Sequence, residues 1–95
     1  MNTRPVRLAI AARRDLDRLT EFLAGKSERA ALSASQVLVA AVLSLEQFSE
    51  RGRPMKRRGW RERVVRFGNA AYIIQYRVSE TEVFVARIFH SRERR

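Results

Sequence analysis

Apolar positions near the start of the chain come at every second residue. Val6, Leu8 and Ile10 are separated by Arg7 and Ala9. Period two predicts a short strand over 5–11, with Pro5 at its start, where a missing N–H is tolerated. From Ala12 the period lengthens. Leu16, Leu19 and Leu23 fall at helical spacing, Phe22 widens the stripe, and Arg13, Arg14, Asp17, Arg18 and Glu21 take the other side. This predicts a helix over 12–24, with Gly25 as its stop. Ser27 is a good N-cap and Glu28 suits the first turn of a second helix. Ala31, Ala34, Leu38, Ala41, Leu45 and Phe48 then recur in steps of three and four, predicting a long helix over 27–49 with this seam as core. Leu32, Val39 and Leu43 add apolar surface on another side. A short link between two helices predicts an antiparallel hairpin.

Gly52, Pro54 and Gly59 break periodicity over 50–59, which reads as a loop. Three segments rich in β-branched and aromatic residues follow: Trp60–Phe67, Ala70–Val78 and Glu82–His90. Gly68-Asn69 is a compact hairpin signal, and Ser79-Glu80-Thr81 makes the next turn. The order is β-α-α-β-β-β. It predicts one α+β domain over 1–95, with a helical hairpin packed on one face of a small antiparallel sheet.

Composition narrows the chemistry. The 95 residues carry 20 Lys and Arg against 10 Asp and Glu, a net charge of +10. All but Lys26 and Lys56 of those cations are Arg, whose planar fork grips phosphates and carboxylates bidentately. Such a surplus points to a polyanionic partner, either nucleic acid or an acidic protein segment. Without Cys there is no disulfide, thiolate nucleophile or Cys-ligated metal, and one His cannot build a His cluster. No metal or other cofactor is expected. The longest apolar run, Val37–Leu43, is too short for a membrane span and reads as buried helix. The apolar stretch 6–12 is interrupted by Arg7, so no secretory signal is expected, and the cytoplasm is the expected compartment.

No nucleophile elbow, phosphate loop or acid–base pair stands out, which leaves arginine on and around a sheet. Arg51, Arg53, Lys56, Arg57, Arg58, Arg61 and Arg63 face only Glu62 between 51 and 63, a general polyanion patch. It lacks the interleaved aromatics of a single-strand binder, Trp60 being the sole aromatic nearby. Arg92, Arg94 and Arg95 form a second basic cluster after His90. Neighbouring strands could align Arg66, Arg87, His90 and Arg92 along one edge or face. There several Arg would stabilise a developing phosphorane and His90 would donate a proton. The plainer reading leaves them a solvated rim with His90 capping its strand. Arg87 either pairs with Glu82 or Glu62 across strands or points outward to a ligand.

The succession of segments resembles the RelE/ParE superfamily of toxins from type II toxin–antitoxin modules. The resemblance rests on Val6-Arg7-Leu8, Ala12-Arg13-Arg14-Asp15-Leu16, Gly52-Arg53-Pro54, Gly59-Trp60-Arg61-Glu62, Tyr72-Ile73-Ile74-Gln75-Tyr76-Arg77-Val78, Val83-Phe84-Val85 and His90-Ser91-Arg92. It covers nearly the whole chain, and the order is more specific than any single motif. It implies a toxin neutralised in a hetero-oligomer by a cognate antitoxin, whose acidic and hydrophobic segment wraps the basic surface. RelE-like members cut mRNA on the ribosome, and Arg66 and Arg92 match two of their arginines. Their C-terminal Tyr is missing here, since Ser91 follows His90. ParE-like members instead inhibit DNA gyrase, and the His-Ser-Arg ending and Gly-Trp-Arg-Glu segment look more ParE-like. The resemblance therefore implies a gyrase-directed toxin first. Ribosome-dependent cleavage through Arg66, His90 and Arg92 is the alternative, and a non-toxic basic binding module the lower one. Arg53, Arg57, Arg58, Arg61, Arg87, Arg92 and Arg94 are the expected contacts to target or antitoxin.

Overall fold

In the computed structural model, which describes residues 3–93, two helices lie on one face of a five-stranded sheet. The elements are β1 (Val6–Leu8), α1 (Ile10–Ala24), α2 (Glu28–Ser44), β2 (Arg53–Pro54), β3 (Trp60–Phe67), β4 (Ala70–Val78) and β5 (Val83–His90). The strands lie in the order β1-β5-β4-β3-β2. The α+β architecture and the helical hairpin are as the sequence predicts. One pairing differs: β1 runs parallel to β5, while every other pair is antiparallel. A parallel neighbour needs a crossover, and the intervening helices and strands supply it.

Local chemistry sets most boundaries. Ser27 caps α2 as expected, its hydroxyl accepting the Ala30 N–H at 3.2 Å. Gly68, at φ 58°, makes the tight β3–β4 turn. Three boundaries depart from the periodicity. Ile10 does not continue the strand: the Ala9 carbonyl already accepts the Arg13 N–H, so Ile10 opens α1 and is 71% exposed. α2 stops at Ser44, five residues short of the predicted end. The Glu46 carbonyl, which a longer helix would offer to residue 50, instead accepts the Arg4 N–H at 2.9 Å. Leu45 turns into the core, and Phe48 is left exposed beneath the Arg51 guanidinium. Within the predicted 50–59 loop, β2 pairs with Arg61 and Glu62 of β3 as a two-residue edge strand, a place where Pro54 is harmless.

The core lies between helices and sheet. Ala12 and Leu19 of α1 and Leu38, Ala41 and Val42 of α2 pack against Val65, Tyr72, Ile74, Tyr76, Val83, Val85 and Ile88. Val39 and Leu43, read from the sequence as part of a buried run, lie on the outer face of α2 in solvent. Among the described residues, no helix is long and apolar enough to cross a membrane.

Candidate functional site

The register of the sheet separates the residues that the sequence groups near His90. Val65, Tyr72 and His90 form one cross-strand row, and Val65 and Tyr72 belong to the core. His90 therefore stands on the helix side, its ring meeting Tyr72 edge-on at 5.5 Å. Burial there pushes the Tyr72 phenol above its ordinary pKa. Successive residues of a strand alternate faces, so Arg66 projects to the other side. Arg66 and His90 thus lie on opposite faces of the sheet, not along a common one.

On the helix side His90 lines a cavity of about 530 Å³, with Phe22, Leu23 and Lys26 of α1 and the ensuing turn, and with Arg92 and Glu93 beyond β5. Its Nδ1 and its backbone groups are engaged. The Nδ1 atom accepts the Arg92 backbone N–H at 3.1 Å, which leaves the proton of a neutral ring on Nε2. Its backbone N–H donates to the Glu93 carboxylate at 2.7 Å. Glu93 is bonded in turn by Arg18 of α1.

Arg87 has a partner that the sequence reading did not supply. β1 ends at Leu8, opposite Val85, and leaves the outer edge of β5 without a strand beyond that point. The Asp15 carboxylate, 4% exposed, closes that edge. It accepts the Ile88 N–H at 2.8 Å, the Arg87 Nε–H at 2.8 Å and an Arg18 N–H at 3.0 Å. Burial alone would raise the Asp15 pKa; the donors from Arg87, Ile88 and Arg18 outweigh it and hold the carboxyl below its usual range. Arg87 is thus a structural cation bonded to neither Glu82 nor Glu62. Glu82 grips Arg7 at 2.9 Å, and Glu62 accepts from Arg53 at 3.2 Å and Gln75 at 3.1 Å. One signal for Asp15 was present in the sequence. It sits between Ala12 and Leu19 on the apolar stripe of α1, where a carboxylate needs a buried partner.

The arginine-rich segment is held at its base by Tyr76. The buried hydroxyl donates to the Ser49 carbonyl and accepts the Gly52 N–H, both at 2.8 Å. Burial pushes this phenol above its ordinary range, against the pull of the Gly52 N–H and of Arg61 and Arg63. A Cβ on Gly52 would fall 2.6 Å from that hydroxyl and 2.7 Å from the Glu62 carbonyl, so only Gly fits. Arg61 donates to the Gly52 and Glu50 carbonyls, at 2.7 and 3.1 Å. Arg53 and Arg61 are therefore partly occupied in shaping the segment. Arg57 and Arg58 are exposed, without a hydrogen-bonded carboxylate among the described residues. Arg94 lies outside the described residues. No cluster of His, Asp and Glu able to hold a metal occurs among the described residues.

Residues 6–95 match the family model described as the ParE toxin of the type II toxin–antitoxin system parDE. Two Caulobacter vibrioides proteins are similar over nearly their full length. Toxin RelE3 is 41% identical over 90 residues, covering 95% of this chain and 97% of its own, and Toxin RelE1 is 38% identical, covering 95% and 96%. A structure of a chromosomal ParDE toxin–antitoxin system from P. aeruginosa aligns with a TM-score of 0.77 at 24% identity, covering 93% of this chain and 96% of that one. The RelBE2 toxin–antitoxin complex of Mycobacterium tuberculosis aligns with a TM-score of 0.63 at 26% identity, covering 93% and 98%.

Proposed function

The chain belongs to the ParE toxin family of type II toxin–antitoxin systems, within the RelE/ParE superfamily, and from that premise we propose that it arrests growth by binding DNA gyrase rather than by cutting RNA. As the toxin of such a module it has a cognate antitoxin as partner. The gyrase reading is carried by one observation: Arg66 and His90 lie on opposite faces of the sheet. A nuclease would need both groups within reach of one scissile phosphate. The His90 Nδ1 is further taken by the Arg92 N–H, the next residue is Ser91 rather than Tyr, and Arg87 is tied to Asp15. A binder needs none of that assembly. It needs an exposed basic surface, which the Arg57 and Arg58 turn provides, with Arg92 at the other end of the sheet.

The antitoxin would bring acidic groups to these arginines and apolar groups to the cavity beside His90, where Phe22 is 60% exposed. The protein would act in the cytoplasm. A second reading, ribosome-dependent mRNA cleavage, is favoured by the RelE names of the two Caulobacter relatives. Purified protein separates the two. Inhibition of gyrase supercoiling with intact mRNA in a translation extract is expected, whereas mRNA cleavage with unaffected gyrase would overturn the proposal.

A further inference from the structure

The exposed face of the sheet carries an ordered row that no stretch of the sequence reveals. Arg7, Phe84, Arg77 and Trp60 are directly paired across four adjacent strands, β1, β5, β4 and β3. Each of the first three lies between residues packed in or against the core: Val6 and Leu8, Val83 and Val85, Tyr76 and Val78. The row therefore faces away from the helices. Arg57 extends it from the loop. The guanidiniums and rings alternate: Arg7 lies 4.5 Å from the Phe84 centroid, Arg77 lies 5.6 Å from Phe84 and 5.9 Å from Trp60, and Arg57 lies 5.1 Å from Trp60.

Such stacking stabilises strands that are short at one edge, and that is part of its role. It does not account for the charge. Three cations stand in one row against a single bonded carboxylate, that of Glu82 on Arg7. Neither Arg77 nor Arg57 has a hydrogen-bonded carboxylate among the described residues. Glu82 occupies the Arg7 fork, but packing against rings holds the Arg77 and Arg57 forks in place without a carboxylate on them, so little side-chain entropy is lost when an anion arrives. The flat face, the planar guanidiniums and the indole edge suit a strand whose bases are unstacked. Phosphates would take the forks and bases would stack on the outer planes, as on the sheets of single-strand binding modules. A duplex presents no free base planes to such a face.

We propose that this row is a binding surface for single-stranded nucleic acid, acting without gyrase or ribosome. It lies at the opposite end of β5 from His90 and shares only Arg57 with the basic surface assigned to gyrase binding.

Trp60 is the only tryptophan and reports occupancy directly. The full chain would be titrated into labelled oligo(dT) and oligo(U) of about 12 nucleotides, within the site sizes of single-strand binders, over a range of salt. Binding with a change in Trp60 fluorescence is expected. Preference for one oligonucleotide would tell DNA from RNA as the natural source. Arg77→Ala should weaken binding at least about fivefold and reduce the salt slope by about 0.7 per lost phosphate contact. Arg77→Lys keeps the charge and loses the plane, and should also bind more weakly. It serves as the informative variant if Arg77→Ala does not fold. Arg14→Ala removes the same charge from the exposed side of α1 and should bind like the parent. Three results would overturn the proposal: equal loss in Arg14→Ala and Arg77→Ala; unmoved Trp60 fluorescence at saturation; or duplex DNA binding as tightly as the single strand. Displacement by polyglutamate at equal charge would overturn it too, in favour of an acidic protein.

Discussion

Two buried polar residues, Asp15 and Tyr76, hold more of this molecule than their number suggests. Asp15 gathers donors from α1 and β5 and stands where a missing strand would leave an open sheet edge. Asp15→Asn keeps the shape but removes the charge facing two guanidiniums, and should cost about 1.5–3 kcal/mol at neutral pH, since Arg87 remains half-solvated. The pH dependence has a definite sign. A carboxyl held below its unfolded pKa contributes stability that is complete above that value, about 3.9, and lost as pH falls through the folded one. Urea melts of parent and Asp15→Asn should therefore converge only in acid below about pH 4. A gap closing near neutrality would mean that another group is responsible. Tyr76→Phe leaves the buried Gly52 N–H and Ser49 carbonyl without their partner and should cost about 1–3 kcal/mol, read as a lowered thermal midpoint.

The helices divide the work unevenly. α1 contacts β1 and β5 and carries the Asp15 and Arg18 network, whereas α2 contributes the apolar seam of Ala31, Ala34, Leu38, Ala41 and Val42. Its alanines let it lie close to its neighbours, and Leu38 fills the centre at 2% exposure. Leu38→Asp would bury an unpaired carboxylate at a cost of several kcal/mol and should abolish near-UV circular dichroism. A folded, soluble Leu38→Asp protein would show that the core lies elsewhere. At the N-terminus of the same helix, Ser27→Ala removes the cap and should cost about 1 kcal/mol, a loss that Ser27→Asp would largely avoid.

At the scale of the whole molecule, exposed arginines stand at both ends of the sheet, Arg57 and Arg58 at one and Arg92 at the other. Arg92→Glu should reduce growth arrest on induced expression, because an acidic partner or phosphate would be repelled. Full toxicity in that variant would reduce Arg92 to a solvated rim. The elements themselves were legible because their signals are local. The steps of three and four placed both helices, β-branched runs placed β3, β4 and β5, and Gly68-Asn69 placed their first turn. The resemblance carried by Gly52-Arg53-Pro54 and His90-Ser91-Arg92 led to the right superfamily for the same reason: its motifs are contiguous. What the chain could not reveal by itself depends on which distant residues become neighbours. Asp15 meets Arg87 and Ile88 across more than 70 residues. β1 joins β5 in parallel although three residues are too few to announce a direction. Strand pairing brings Phe84 beside Arg77 and Arg7, and Trp60 beside Arg77, contacts between residues far apart in the chain. Hydrophobic period is written into short stretches. The face on which Arg66, His90 or Arg77 emerges is decided by strand register, and register is set by how the buried side chains of separate segments pack together.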